Sequence, residues 1–303
     1  RHVGFWFDDG TVVLLVENIA FRVHAGVLAR HSPIFRDMFQ VSNSSELERM
    51  DGCPTVRLYD SPQDVVAILT IMYDGTRFFG PSPPVTFSFV ASLIRLAHKY
   101  EMDTVMGAAV TRLHSCFPDS MADVGQFLAN RSPLMAMEDD DAFTAVGLAR
   151  LTETYGILPL ALYRCSLFEN DILLRGIRKV DGITVQLGEE DIIRCLNGRE
   201  KLRSLKLTAY AWLYDGTLRC SFACRTALLS CQEILKEISR DALTRSILTS
   251  PSVLESLSVS MGGFGDLCTF CTTMLETKDL ESRREIWREL PECMDVRVDK
   301  WGL

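Results

Sequence analysis

Short β-branched runs open the chain, and helical spacing takes over from them. Val12-Val13-Leu14-Leu15-Val16 follows the turn signal Asp8-Asp9-Gly10. Ala20-Phe21-Arg22-Val23 comes after Glu17-Asn18, so the two runs predict a β-hairpin. Thr55-Val56-Arg57-Leu58, behind Gly52-Cys53-Pro54, predicts a third strand. A helical pair lies between them. Val27 and Leu28 belong to its first helix. Ser32 reads as the N-cap of the second, with Pro33 at its first position. Ile34, Phe35, Met38 and Phe39 then form the apolar face.

Ser61-Pro62 repeats that start signal, and Val65, Val66, Ile68, Leu69 and Met72 follow until Asp74-Gly75. Residues 80–84 read as a loop. Phe89, Val90, Leu93, Ala97 and Tyr100 share one face of the next helix, and Met102 to Leu113 form another. Up to about Cys116 the pattern predicts a small sheet wrapped by helices.

Beyond that point the chain is predicted mostly helical. Asp139-Asp140-Asp141 marks a helix start, where acidic groups suit the dipole, with a divalent cation as the alternative. Leu96-x-x-x-Tyr100-x-Met102 is echoed by Leu151-x-x-x-Tyr155-x-Ile157, which suggests stacked helical hairpins. Ile183 to Leu187 reads as a strand or extended loop. Helices are predicted over Glu189 to Trp212, interrupted near Asn197-Gly198, and over 221–246 and 264–290, with Pro291 ending the last.

Composition narrows the function classes. A chain of 303 residues suggests two domains. The net charge is −8, shared as 10 basic and 12 acidic side chains in residues 1–116 and 22 and 28 in the rest. No basic stripe exists, so direct nucleic-acid binding is not expected. No apolar run approaches the roughly 18 residues of a membrane span. Ten cysteines are too dilute for a disulfide scaffold. With no secretory signal, an intracellular place, cytoplasm or nucleus, is expected.

The segment from His24 to Phe39 carries a His, then Val27-Leu28, Ser32, Phe35 and Met38-Phe39. It closely resembles the BTB/POZ signature. The flanks agree: Asp9 opens the preceding strand region, Tyr73-x-Gly75 resembles the family's helix end, and Leu93 to Met102 its Leu-x-x-Ala-x-x-Tyr-x-Met segment. The resemblance covers about residues 5–116. The whole chain is similar to BTB proteins abundant in mushroom-forming fungi. It implies an α+β BTB/POZ fold over 1–117, followed by a mostly α-helical domain over 118–303, with hairpins at 118–187 and 188–303.

BTB domains are protein-interaction modules, commonly dimers or tetramers, so the resemblance implies a non-catalytic role in self-association and partner recruitment. Asp9, His24, Val27, Leu28, Ser32, Phe35, Met38, Phe39, Tyr73 and Gly75 are then structural. His24 is expected to hydrogen-bond a backbone group or carboxylate with its body buried. Substrate adaptors of cullin ubiquitin ligases in the family tend to carry a hydrophobic-x-Glu motif. Here Glu46 follows Ser44 and Glu48 follows Glu46, so the motif is absent. The adaptor role stays an alternative, as does a zinc-stabilised transcriptional cofactor or scaffold.

Cys220-x-x-x-Cys224 and Cys268-x-x-Cys271 are two pairs able to make a tetrahedral structural zinc site. Cys231 would face the same way as Cys220 and Cys224 on an ideal helix. Buried thiols behaving as small hydrophobes are the alternative. No cofactor is otherwise required. Phosphate-loop, dinucleotide, nucleophile-elbow and His-Glu-x-x-His motifs are absent. Trp287 and Leu290 either anchor a partner or pack the last helix.

Overall fold

The computed structural model describes residues 1–41, 48–75, 78, 84–179, 182–225 and 228–302. The chain divides into two compact units. The first holds Arg1–Cys116, Arg131–Glu138 and Leu148–Thr154; the second holds the remainder.

In the first unit, β1 (Val12–Val16) and β2 (Ile19–Val23) form an antiparallel hairpin with Val12 opposite Val23 and Val16 opposite Ile19. Helices α1 (Ala25–His31) and α2 (Pro33–Val41) follow. Then come β3 (Arg49–Met50) and β4 (Cys53–Leu58). β4 lies parallel to β1, with Leu14 opposite Val56. A parallel pair needs a long crossover, which the two helices supply. Among the described residues the sheet order is β2-β1-β4-β3.

Gly10 sits where that sheet turns: a Cβ there would meet Arg22 Cγ at 2.8 Å and Phe7 O at 3.0 Å. Helices α3 (Pro62–Asp74), α4 (Phe87–Lys99) and α5 (Asp103–His114) then stack in sequence. Val13, Phe21, Leu28, Phe35, Leu69, Val90, Leu93 and Leu113 are buried in this unit.

The expected boundary at 117 is crossed by two later segments. β5 (Val85–Thr86) pairs in parallel with β6 (Met135–Ala136). The buried Arg112 donates to Leu134 O at 2.7 Å and Phe78 O at 2.5 Å, and covers the Phe78 ring. An arginine near a helix end thereby satisfies carbonyls from two separate segments.

The second unit contains α6 (Val124–Leu128) and α8 (Leu158–Ser166), and α7 (Asp141–Leu151) begins within it. All nine residues of α8 are buried. Against it pack α10 (Glu189–Ala209) and α13 (Thr269–Cys293). α9 (Asn170–Arg175), a short β7–β8 hairpin (Ile177–Arg178 with Thr184–Val185), α11 (Leu228–Thr244) and α12 (Leu257–Met261) complete the described α-helices and strands. No described helix is long and apolar enough to cross a membrane.

Several sequence expectations are corrected here. α10 is not interrupted at Gly198. A Cβ at that position would meet Met294 Sδ at 2.6 Å, so the glycine allows the chain just after α13 to approach. Pro291 does not end α13, which continues to Cys293. Proline lacks the N–H that would reach the carbonyl four residues back. That carbonyl, on Trp287, accepts instead from the Trp301 indole at 2.7 Å, and the two rings stack at 4.7 Å. Trp287 and Leu290 are buried, so they pack the helix and are not available to a partner.

The acidic run does mark a helix start, at Asp141, with Asp139 exposed, and its carboxylates are paired with cationic side chains. Asp139 pairs with Arg164, while Asp140 and Asp141 take Lys179 at 2.7 and 2.9 Å.

The internal echo is also corrected. Glu101 and Glu153 both have positive φ, 53° and 55°. Met102 N donates to Ala97 O and Glu101 N to His98 O. Thr154 N donates to Ala149 O and Glu153 N to Arg150 O in the same way. The structural match therefore runs from Leu96-Ala97 to Leu148-Ala149. It is a common left-handed helix ending rather than a repeated hairpin.

Candidate functional site

The residues singled out in the N-terminal unit fall into two small clusters. In the first, the turn before β1, the end of β2 and the end of α3 meet. His24 N donates to Tyr73 Oη at 2.9 Å, its Nδ1 lies 3.0 Å from the same hydroxyl, and its Nε2 lies 3.2 Å from Asp9 Oδ1. One assignment satisfies every group: Nε2–H donates to the carboxylate, and Nδ1 accepts from the tyrosine. Phe7 stacks on Tyr73 at 4.9 Å. Burial, with the Asp9 charge adding to it, raises the Tyr73 hydroxyl above its usual range despite the His24 N–H. Gly75 follows the helix as a right-handed cap, φ −63°.

In the second cluster, Ser32 caps α2. Its Oγ accepts from Phe35 N at 3.0 Å and donates to Tyr100 O at 2.6 Å. Phe35 stacks on Tyr100 at 4.3 Å, and Phe39 on Phe35 at 5.7 Å. Leu28 is buried, whereas Val27, Ile34, Met38 and Phe39 are half-buried. Of the apolar face of α2 formed by Ile34, Phe35, Met38 and Phe39, only Phe35 is fully buried. Ser44 and Glu46 lie outside the described residues; Glu48 is exposed.

Further caps hold α3. Ser61 Oγ accepts from Asp64 N at 3.1 Å, and Arg95 reaches both Asp64 oxygens, at 2.8 and 3.3 Å. Burial alone would raise the Asp64 carboxyl, but the bonds from Arg95, Ser92 and Ser61 hold it below the usual carboxylate range.

Residues 8–115 match the model of the BTB/POZ domain family. The first unit carries a BTB/POZ domain. This is a protein-interaction family, and the match spans the two clusters just described. No curated protein matches the chain. The BTB domain is followed by the mostly helical region already described.

The helical unit holds the second candidate site. The sulfurs of Cys224, Cys231, Cys268 and Cys271 all lie within 4.8 Å of one another. Cys268 and Cys224 are 3.6 Å apart, and Cys268 N donates to Cys231 Sγ at 3.5 Å. Cys268 is the N-cap of α13 and Cys271 lies in its first turn. Cys231 lies in the first turn of α11. Cys224 comes from the turn before α11, because the helix predicted over 221–246 starts only at Leu228.

This late start decides which cysteine joins the set. Off the helix, Cys220 no longer shares a face with Cys224, and Cys231 takes the fourth place. Three of the four thiols named from spacing therefore meet. Cys220 lies nearby, close enough to interact with Cys271 and Cys224. Burial raises the Cys271 thiol above its usual range, although the Ser221 N–H acts against it. Helical spacing places Cys231 on the side of Cys224, and the Cys-x6-Cys spacing between them is the signal that the two short Cys pairs leave out.

Charged groups are also buried inside the helical unit. Asp279 accepts from Tyr210 Oη at 2.6 Å, Leu257 N at 3.0 Å and Arg283 Nε at 2.9 Å. Lys206 donates to Ile247 O at 2.9 Å and Ser252 O at 3.3 Å. Burial lowers its ammonium to about 8, against the pull of Glu255 and Asp279. Arg199 caps the end of α8 through Ser166 O at 2.6 Å and Phe168 O at 2.6 Å. A groove of about 370 Å³ has Leu213, Leu218 and Leu235 in its lining, and the charged side chains there, Arg219, Lys236 and Arg240, are all cationic.

Proposed function

We propose that the protein is a non-catalytic assembly factor: it self-associates through its BTB/POZ domain and recruits a partner protein through its helical unit. The observation that carries this reading is the family match over residues 8–115, a domain whose general work is binding proteins. The surface of that domain supports it. Ile34, Met38 and Phe39 are half-buried apolar residues on one short helix, and Tyr59 is exposed. Apolar groups left at a surface favour association when a second surface covers them.

The polar clusters support a structural assignment for the signature residues. His24, Tyr73 and Asp9 satisfy one another, and Ser32 has a donor and an acceptor. The groove in the helical unit presents charges of one sign, which suits binding better than acid–base chemistry.

Co-capture tests the proposal. Two differently tagged full-length copies are expressed together, and one tag is captured. Retention of the second copy is expected, with loss of that retention in Phe39→Glu folded as judged by circular dichroism. Absence of the second copy from the wild-type capture overturns self-association. Mass spectrometry of the same capture from source cells reads the recruited partner. A cullin among the specific partners would assign the adaptor role despite the missing hydrophobic-x-Glu motif.

A further inference from the structure

We infer that the helical unit binds one structural Zn²⁺ through Cys224, Cys231, Cys268 and Cys271. This is independent of the association reading.

The geometry is the first argument. Zinc–sulfur bonds of about 2.3 Å in a tetrahedron put the sulfurs about 3.8 Å apart. The four sulfurs here lie within 4.8 Å of one another, and Cys268 and Cys224 are 3.6 Å apart. Movements of less than an ångström would close the tetrahedron.

The second argument is burial. Cysteine used as a small hydrophobe is buried. Cys53, Cys116, Cys165, Cys195 and Cys293 follow that rule, and each is buried. Within the quartet, Cys224 and Cys268 are only half-buried. Packing of a core does not explain four sulfurs gathered at a partly open site.

The third argument is the supporting shell. Cys268 N–H already points at the Cys231 sulfur, and N–H donors of this kind stabilise a metal-bound thiolate. Cys231 and Cys271 sit in the first turns of α11 and α13, where the helix dipole favours negative sulfur. Binding replaces four S–H bonds by four Zn–S bonds and releases four protons to solvent, with no change of oxidation state. All four positions are filled by sulfur, so the metal is structural and leaves no place for a catalytic water. It would tie the start of α11 and the turn before it to the start of α13.

The experiment measures metal in the full-length chain, purified under reducing conditions without chelator. One zinc per chain is expected by inductively coupled plasma mass spectrometry. Cys220→Ser should keep that ratio, and Cys231→Ser should lose it. The chelated wild type is also titrated with Co²⁺, which avoids reliance on a variant that fails to fold. The intense visible absorption of a tetrahedral thiolate site should appear and saturate at one equivalent. Zinc should then protect four thiols from alkylation. Less than a tenth of an equivalent of metal with no cobalt spectrum would overturn the inference. So would loss of the metal in Cys220→Ser with retention in Cys231→Ser.

Discussion

Both units bury charged side chains at helix ends, but among the described residues only the helical unit buries one in mid-helix. In the BTB unit most buried polar side chains sit at helix ends: Ser32 before α2, Asp64 in the first turn of α3, Arg112 in the last turn of α5. In the helical unit Arg164, Asp191 and Lys206 also lie in first or last turns, but Asp279 and Ser282 are buried in the middle of α13 and bond to distant segments. A buried group at a helix end has free backbone groups within reach, as Ser32 has in Phe35 N. A buried charge in mid-helix ties separate elements together, and removing one partner leaves the other uncompensated. The helical unit is therefore expected to be the more sensitive to single polar substitutions.

The largest expected effect is at Asp279. Asp279→Ala leaves Tyr210, Arg283 and the Leu257 N–H without their shared acceptor. A loss of about 3–5 kcal/mol is expected, read by urea unfolding. A loss similar to that of a surface substitution would break the comparison.

Next comes Lys206. Its ammonium is lowered to about 8 from the ordinary 10.5, so the folded state binds fewer protons than the unfolded state between those values. Its contribution must therefore rise with pH across that window, by on the order of 3 kcal/mol at most. Wild type should gain on Lys206→Met between pH 7 and 10 in parallel denaturation curves. A flat difference would contradict the assignment.

In the BTB unit the corresponding change is smaller. Ser32→Ala removes the cap on Phe35 N and the donor to Tyr100 O, at a cost of about 1–2 kcal/mol. The Asp64 carboxyl, held below its usual value, contributes stability above the ordinary carboxylate pKa and loses it as pH falls further. Wild type should therefore lose its advantage over Asp64→Asn in acid. The smallest effect is a gain. Glu153→Gly relieves a left-handed residue, φ 55°, and should stabilise by about 0.5–1 kcal/mol, seen as a raised melting temperature.

The same difference explains what was legible beforehand. Helix ends carry local signals, and Ser32-Pro33 and Ser61-Pro62 are caps in the structure. The β1–β2 hairpin follows directly from two short apolar runs and the turn between them. A mid-helix aspartate such as Asp279 looks like a surface position to any periodicity argument, because its partners come from remote segments. Gly198 and Pro291 misled for a related reason. Their meaning lies in Met294 and Trp301, which sequence spacing does not place beside them. The cysteine quartet was three-quarters legible from paired spacing, and the fourth member depended on where α11 begins.

The most direct test of the central claim, association through the BTB unit, is the native mass of the full-length chain across concentrations. A mass of at least twice the 34.1 kDa chain is expected, falling toward one chain in Phe39→Glu. A mass of 34.1 kDa at every concentration would contradict the account.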